Sequence, residues 1–281
     1  MLLGIQVSTE GKIYDALARA GQLGCNTMQI FSRNPQRWRR DFLNPEDIRE
    51  FNRRQESLKI KPIFIHVPYL INLASPNPRL YEASIEAYIE DILEAATLNA
   101  DYIVTHMGSH KGTSEAAGIQ RLIEALNRIL EKTRSAKAGI LLENTSGSGS
   151  WLGYKFSHHK AILSGLKEKS RFGLCLDTAH AYLAGYDLST TAGLEATLQE
   201  IDKSVGLSLV KLIHLNDAKA ALGTHLDRHE HIGKGHIGLE GMRRIINHPK
   251  LRDLAFILET PKKNEQDDLM NLNTVRKLRV N

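Results

Sequence analysis

Pro62-Ile-Phe-Ile-His66, the segment Arg79–Leu98 and Tyr102-Ile-Val-Thr-His106 come one after another in that order, and their reading decides the fold. The outer two are short apolar runs rich in β-branched residues, the pattern of buried strands. The middle segment sets Ile85, Tyr88, Ile89, Ile92 and Ala96 among Glu82, Glu86, Glu90 and Glu94 at helical spacing. Strand, helix, strand is one βαβ unit, and each strand runs into a histidine. The same alternation extends in both directions. Strands are expected at Leu2–Val7, Thr27–Phe31, Pro62–Ile65, Tyr102–Thr105, Gly139–Leu142, Phe172–Leu176, Val210–Ile213 and Ala255–Leu258. A second helix is expected over Ala116–Lys132, with Ile119, Leu122, Ile123, Leu126 and Ile129 on one face. Eight strands alternating with helices predict an α/β fold, a (β/α)8 TIM barrel forming a single domain over residues 1–281. An open doubly wound sheet is the alternative, but no Gly-x-Gly-x-x-Gly turn comes after the first strand.

The residues at the strand ends point to chemistry. His66, His106, Glu143, Asp177, His214 and Glu259 come directly after six consecutive strands. In a barrel the carboxyl ends of parallel strands converge on one face, where such folds carry their chemistry. Asp177-Thr-Ala-His180 places a further donor three residues on, and Asp227-Arg-His229 offers a pair from a loop. Imidazole with carboxylate is the ligand set of zinc, and of manganese and iron. Singly, each residue has a plain reading as a hydrogen-bonded or ion-paired strand end. Together they would leave several uncompensated charges in one crevice without a cation. His158-His159, His110, His225, His236 and His248 have no strand-end placement and are set aside; His231, one alternation past His229, stays open.

Composition adds bounds. The chain of 281 residues suits one barrel domain with ample core, and no linker, repeat or low-complexity segment interrupts it. No apolar run approaches a membrane span and no leader pattern precedes the first strand, so a cytoplasmic, membrane-free protein is expected. Two cysteines, Cys25 and Cys175, argue against a disulfide framework. A net charge of +5 permits an anionic partner without naming one. Arg33, Arg37, Arg39 and Arg40 share the loop after the second strand with Trp38. That loop reads either as a phosphate-gripping surface or as a solvated basic turn around a packing tryptophan.

Three stretches are together highly specific: His66-Val-Pro-Tyr-Leu-Ile-Asn-Leu73; Leu174-Cys-Leu-Asp-Thr-Ala-His-Ala-Tyr-Leu-Ala-Gly-Tyr-Asp187; and His214-Leu-Asn-Asp-Ala-Lys219 with Asp227-Arg-His-Glu-His-Ile-Gly-Lys-Gly235. With Phe31-Ser-Arg-Asn-Pro-Gln-Arg-Trp38 and Leu258-Glu-Thr-Pro261, the chain resembles the endonuclease IV family over essentially its whole length. The family consists of metal-dependent abasic-site endonucleases of the xylose-isomerase-like barrel superfamily. The resemblance implies a trinuclear zinc cluster, three Zn2+ per chain, with Mn2+ or Fe2+ able to replace part of it. His66 and His106 would bind the first ion and Glu143 would bridge the first and second. Asp177, His214 and Glu259 would complete the second site, and His180, Asp227 and His229 the third.

The implied reaction is hydrolysis 5′ to an abasic site in double-stranded DNA, leaving a 3′-hydroxyl and a 5′-deoxyribose phosphate. Removal of 3′-blocking groups is the same chemistry. Glu143 would orient the nucleophile as well as bridge, and the enzyme would act as a monomer. The resemblance makes Tyr69 and Leu70 residues that insert into DNA; their alternative is packing of the loop after His66. A well-known form of the family carries a histidine where this chain has Gln6 and an inserting arginine where simple alignment gives Gln36. We expect Arg37, one step along, to fill the gap left by the flipped nucleotide, and Arg33, Gln36, Arg37 and Trp38 to line the DNA side. The rivals are a metal-dependent sugar isomerase or epimerase on the same barrel, and a non-catalytic nucleic-acid-binding barrel. Isomerase sites hold one or two metals, so a third-ion set of His180, Asp227 and His229 speaks against the first.

Overall fold

Alternation along each strand decides what fills the barrel. Successive side chains in a strand point to opposite sides. One set packs outward under the helices, and the other meets at the barrel axis. The computed structural model describes residues 1–34, 37–38 and 43–280. Its strands are β1 (Leu2–Ile5), β2 (Met28–Phe31), β3 (Ile63–His66), β4 (Tyr102–His106), β5 (Gly139–Glu143), β6 (Phe172–Asp177) and β7 (Val210–His214). A two-residue antiparallel ribbon, β8 (Asp217–Ala218) with β9 (His229–Glu230), precedes the last barrel strand, β10 (Ala255–Leu258). The eight barrel strands are all parallel, in the order β1-β10-β7-β6-β5-β4-β3-β2. Gln6 bridges Gln29 in parallel across the remaining gap, and the Val7 amide donates to the Gln29 carbonyl at 2.8 Å. This is a (β/α)8 TIM barrel. β1 ends at Ile5 rather than Val7, because beyond it the ladder is reduced to that single bridge.

Nine helices are described: α1 (Asp15–Gln22), α2 (Pro45–Leu58), α3 (Pro78–Thr97), α4 (Glu115–Lys132), α5 (Phe156–Gly165), α6 (Thr178–Leu183), α7 (Thr191–Ser204), α8 (Gly238–Asn247) and α9 (Glu265–Leu278). Their starts are written in the sequence. Asn77 caps α3 by accepting from the Leu80 amide, with Pro78 in the first turn, and Ser114 caps α4 by accepting from the Ala117 amide. None of the described helices is long and apolar enough to cross a membrane.

The outward set and the helix faces form the main core, including Ile63, Ile65, Ile103, Leu142 and Leu176. The inward set is a separate cluster of Phe64, Val104, Leu141, Cys175, Leu212, Ala255 and Ile257. Burying a side chain of this size stabilises by roughly 1.5–3 kcal/mol relative to leaving it exposed. Two residues beyond these inward positions, on the same side of each strand, lie His66, His106, Glu143, Asp177, His214 and Glu259. The strand-end residues therefore form the top interior layer of the barrel, standing on an apolar plug.

Candidate metal centre

Glu143 is the hub of that layer and is fully buried. Its Oε2 lies 3.1 Å from His66 Nε2 and 3.2 Å from His106 Nε2. Its Oε1 lies 3.0 Å from His214 Nδ1 and 3.4 Å from His180 Nδ1. The register explains this convergence: His106 pairs with Glu143 across β4 and β5, and Asp177 with His214 across β6 and β7. Donor atoms lie within 4.8 Å of one another in His66–His106–Glu143, in Glu143–Asp177–His214–Glu259, and in Asp177–His180–His229. Asp227 joins the last group, with Oδ1 3.0 Å from His180 Nε2.

Helix capping places His180. Asp177 caps α6, its Oδ1 accepting from the His180 amide at 2.7 Å. Its Oδ2 accepts from Asn216 Nδ2 at 2.7 Å and faces His229 Nε2 at 3.8 Å. One carboxylate thus starts a helix and stays in the cluster. His229 lies in the β8–β9 ribbon, whose return is organised by Asp217. This buried carboxylate accepts from the amides of Ala218, Gly235 and Ile237. Burial raises its pKa, opposed by those amides. At Gly235 a Cβ would stand 2.3 Å from the Ala218 carbonyl oxygen, so only glycine allows this approach.

Second contacts select which ring nitrogen each histidine presents. Nδ1 of His66 donates to the Val67 carbonyl at 2.6 Å, that of His180 to the Asn144 carbonyl at 3.0 Å, and that of His229 to the Glu259 carbonyl at 3.0 Å. In the neutral rings Nε2 is then the lone-pair nitrogen. The consequence is sharp at His180 and His229, whose Nε2 atoms face each other at 3.4 Å. With both rings neutral, two lone pairs and the Asp227 carboxylate would form an acceptor cluster, which a proton on His180 or a metal cation resolves.

Charge balance points the same way. Among the described residues the ionic partners of Glu143, Asp177, Asp227 and Glu259 are all histidines, with no lysine or arginine. Glu143 and Asp177 are buried, and buried carboxylates without such partners need another cation; the donor set fits zinc. Burial works against the imidazolium of His180, but Asp177, Asp227 and Glu143 outweigh it and hold its pKa well above the ordinary value. At His214 burial is likewise outweighed, by Cys175, Glu259 and Glu143. Burial raises the Asp227 pKa, but His180 outweighs it and the carboxyl falls to about 2.

Metal must therefore displace protons. Both histidines hold a proton more tightly than a free imidazole, so loading releases protons and affinity rises with pH. Calorimetric titration of zinc into chelated protein, in two buffers of different ionisation enthalpy, should give buffer-dependent heats. Equal heats would mean that these rings are already neutral.

The chain is similar to known proteins in sequence and fold. Residues 17–277 match the family model described as a xylose isomerase-like TIM barrel. A protein of Methanoculleus marisnigri called probable endonuclease 4 is 42% identical over 99% of each chain. The crystal structure of endonuclease IV from Thermus thermophilus is 34% identical, with a TM-score of 0.88 over 99% of this chain and 98% of that one. The chain belongs to the endonuclease IV family. A D-tagatose 3-epimerase-like protein, 19% identical with a TM-score of 0.74 over 99% of this chain and 97% of that one, shares the barrel alone.

In this endonuclease IV family member a cleft of about 450 Å³ opens over the cluster, lined by Tyr69, Trp151, Ser146 and Ser148 with His106, Asp227 and His229. Tyr69 is 53% exposed, yet its ring packs on Phe31 at 5.5 Å and His106 at 5.8 Å. The ring is thus partly packed and partly exposed, an arrangement that fits either reading of Tyr69. Leu70 beside it is half-buried. Arg37 is exposed and Trp38 is 40% exposed. Gln36, with Arg39 and Arg40, lies outside the described residues.

Arg33 departs from the expectation of a DNA-side residue. It is buried, with Nε donating to Asp91 at 2.9 Å, and two guanidinium nitrogens donating to the carbonyls of Trp38 at 2.8 Å and Ala87 at 2.9 Å. A buried carboxylate holds it inside, where it anchors the loop that carries Arg37 and Trp38. The histidines set aside lie elsewhere, His158 on Glu115, His225 on the Ser146 carbonyl and His248 on Glu195, and His231, left open, lies against Asn271. Sequence reading missed Gln29, Asn144, Asn216 and Trp151. Gln29 had a signal, an amide between apolar Met28 and Ile30 on the inward side of its strand. Trp151 had none, since nothing along the chain tells that its ring lies 5.7 Å from His106.

Proposed function

We propose that this chain is a DNA-repair endonuclease acting, as a monomer, on double-stranded DNA. It hydrolyses the phosphodiester 5′ to abasic sites, leaving a 3′-hydroxyl and a 5′-deoxyribose phosphate, and clears blocked 3′ ends. The observation that carries this reading is Glu143, each of whose oxygens faces two histidines at the junction of overlapping donor groups. His66, His106 and Glu143 would hold one zinc; Glu143, Asp177, His214 and Glu259 a second; and His180, Asp227 and His229 a third. Manganese or iron can take part of the set. Zinc bound here supplies Lewis acidity toward phosphate oxygens and makes water acidic enough to react near neutral pH.

The chain's own residues do the rest. The apolar plug below and the carbonyl-fixed rings keep the donors in place, so little reorganisation accompanies the reaction. Water adds to phosphorus, the bond to the 3′-oxygen breaks, and that oxygen leaves with a proton as the 3′-hydroxyl. Damage is read by shape, because an abasic site has no base. The missing stacking makes flipping cheaper by a few kcal/mol. Tyr69 and Leu70 supply a flat ring and an apolar wedge at the rim, and Arg37 fills the gap.

Tyr69→Ala and Arg37→Ala should each weaken binding to abasic duplex roughly 10-fold or more, taking one lost stacking contact at about 1–3 kcal/mol as the scale. Affinity for undamaged duplex should change much less. Wild-type binding and cleavage by Arg37→Ala would remove Arg37 from this role.

The test of the reaction is an end-labelled duplex with one tetrahydrofuran abasic analogue beside an undamaged duplex. The analogue cannot undergo β-elimination, so a 5′ nick ending in a 3′-hydroxyl is hydrolytic. Cleavage that disappears after prolonged chelation and returns with zinc establishes the reading. No nick from fully metallated protein sinks it and puts the sugar isomerase first.

A further inference from the structure

Backbone carbonyls set the rings of His66, His180 and His229, but a side chain sets that of His214. Its Nε2 meets the amide oxygen of Gln29 at 2.8 Å. Gln29 is fully buried, and its amide nitrogen donates to Glu259 Oε1 at 2.7 Å and to Gln6 Oε1 at 2.8 Å. The Glu259 carboxylate can only accept from that nitrogen, so the Gln29 oxygen has to face His214, and Gln6 turns its own oxygen to the same nitrogen. A flipped amide would set the Gln29 oxygen against the Glu259 carboxylate, two acceptors with no proton between them. His214 is thereby protonated on Nε2 and turns its Nδ1 lone pair toward Glu143 Oε1 at 3.0 Å and Glu259 Oε2 at 3.2 Å. The same amide holds the other oxygen of Glu259, so one side chain orients two neighbouring donors.

We infer that Gln29, itself fixed by Gln6, is a positioning residue that locks the tautomer of His214 and the carboxylate of Glu259 for one metal ion. Gln29 lies in β2 and Gln6 directly follows β1, the two strands that contribute no candidate ligand, and the pair completes the polar layer around the barrel. Here a buried amide chain does what backbone carbonyls do for His66, His180 and His229. The inference rests on reading this layer as a metal centre. It assigns Gln6, which lies outside the donor set, a purpose of its own: its oxygen takes the second N–H of the Gln29 amide and steadies it.

The test uses the full chain, ring-labelled with 15N-histidine and loaded with zinc. Long-range proton–nitrogen correlation should show His214 protonated on Nε2, the signal being assigned by its loss in His214→Asn. Gln29→Met, of similar volume, should lower the affinity for the weakest-held zinc roughly 10–100-fold in chelator competition, the scale of lost outer contacts to ligands. It should also shift the His214 Nε2 proton signal. Gln6→Met should give the same changes, smaller in size. A space-filling role would shift the melting temperature of the metal-free protein and leave the tautomer signal and zinc affinity alone.

The inference is overturned if wild-type His214 carries its proton on Nδ1, a result that needs no variant. It is also overturned if Gln29→Met keeps zinc affinity within about twofold of wild type while remaining folded. Failure of the wild-type chain to take up zinc at all would instead remove the metal-centre reading itself.

Discussion

Glu143→Gln is expected to lower cleavage of abasic duplex by roughly 10³-fold. The substitution keeps shape and volume, but one carboxylate oxygen becomes an NH2 group. Each oxygen of Glu143 faces two imidazole nitrogens, so either orientation sets a donor against two rings and removes a charge from the junction. Metal ions contribute several kcal/mol of transition-state stabilisation, and each 1.36 kcal/mol is tenfold in rate. Single-turnover cleavage with the metal content of the same sample measured alongside checks this. Affinity for undamaged DNA should hold, because Glu143 is fully buried and offers a duplex no contact. A fully metallated variant cutting at a near-normal rate would show that Glu143 is not the bridge.

Arg33→Met should give the largest loss of stability outside the centre. Arg33 and Asp91 form an ion pair that is 3% and 0% exposed, and removing one member of such a pair costs about 3–5 kcal/mol. For a chain of this length that corresponds to a melting temperature lower by roughly 10 °C. Adding Asp91→Leu should recover much of the stability, since the stranded charge is gone. It should not recover affinity for abasic DNA, because the Trp38 carbonyl still lacks its guanidinium donor. Full recovery of both would mean that Arg33 does not shape the loop bearing Arg37 and Trp38.

Much of the metal centre was legible in the order of residues alone. Apolar runs, helical spacing and strand-end donors are local properties, repeated each time the chain crosses the barrel. Parity within a strand then decides that Phe64 and His66, Leu141 and Glu143, or Ile257 and Glu259 share the inward side. The step from Asp177 to His180 is likewise local, since a helix cap reaches the amide three residues on. Where the reading of Arg33 departed from the structure, the difference came from Asp91, which lies 58 residues away on α3.

By itself, then, the sequence determined an eight-stranded α/β barrel with imidazoles and carboxylates gathered at one end, because periodicity is carried by neighbours along the chain. Only the tertiary structure decided which nitrogen each histidine presents and which amides hold the carboxylates. Those choices depend on partners brought together by closure of the sheet: Gln29 meets Gln6, His214 and Glu259 across 23, 185 and 230 residues of chain. A hydrogen bond across such separations leaves no spacing for a sequence to display.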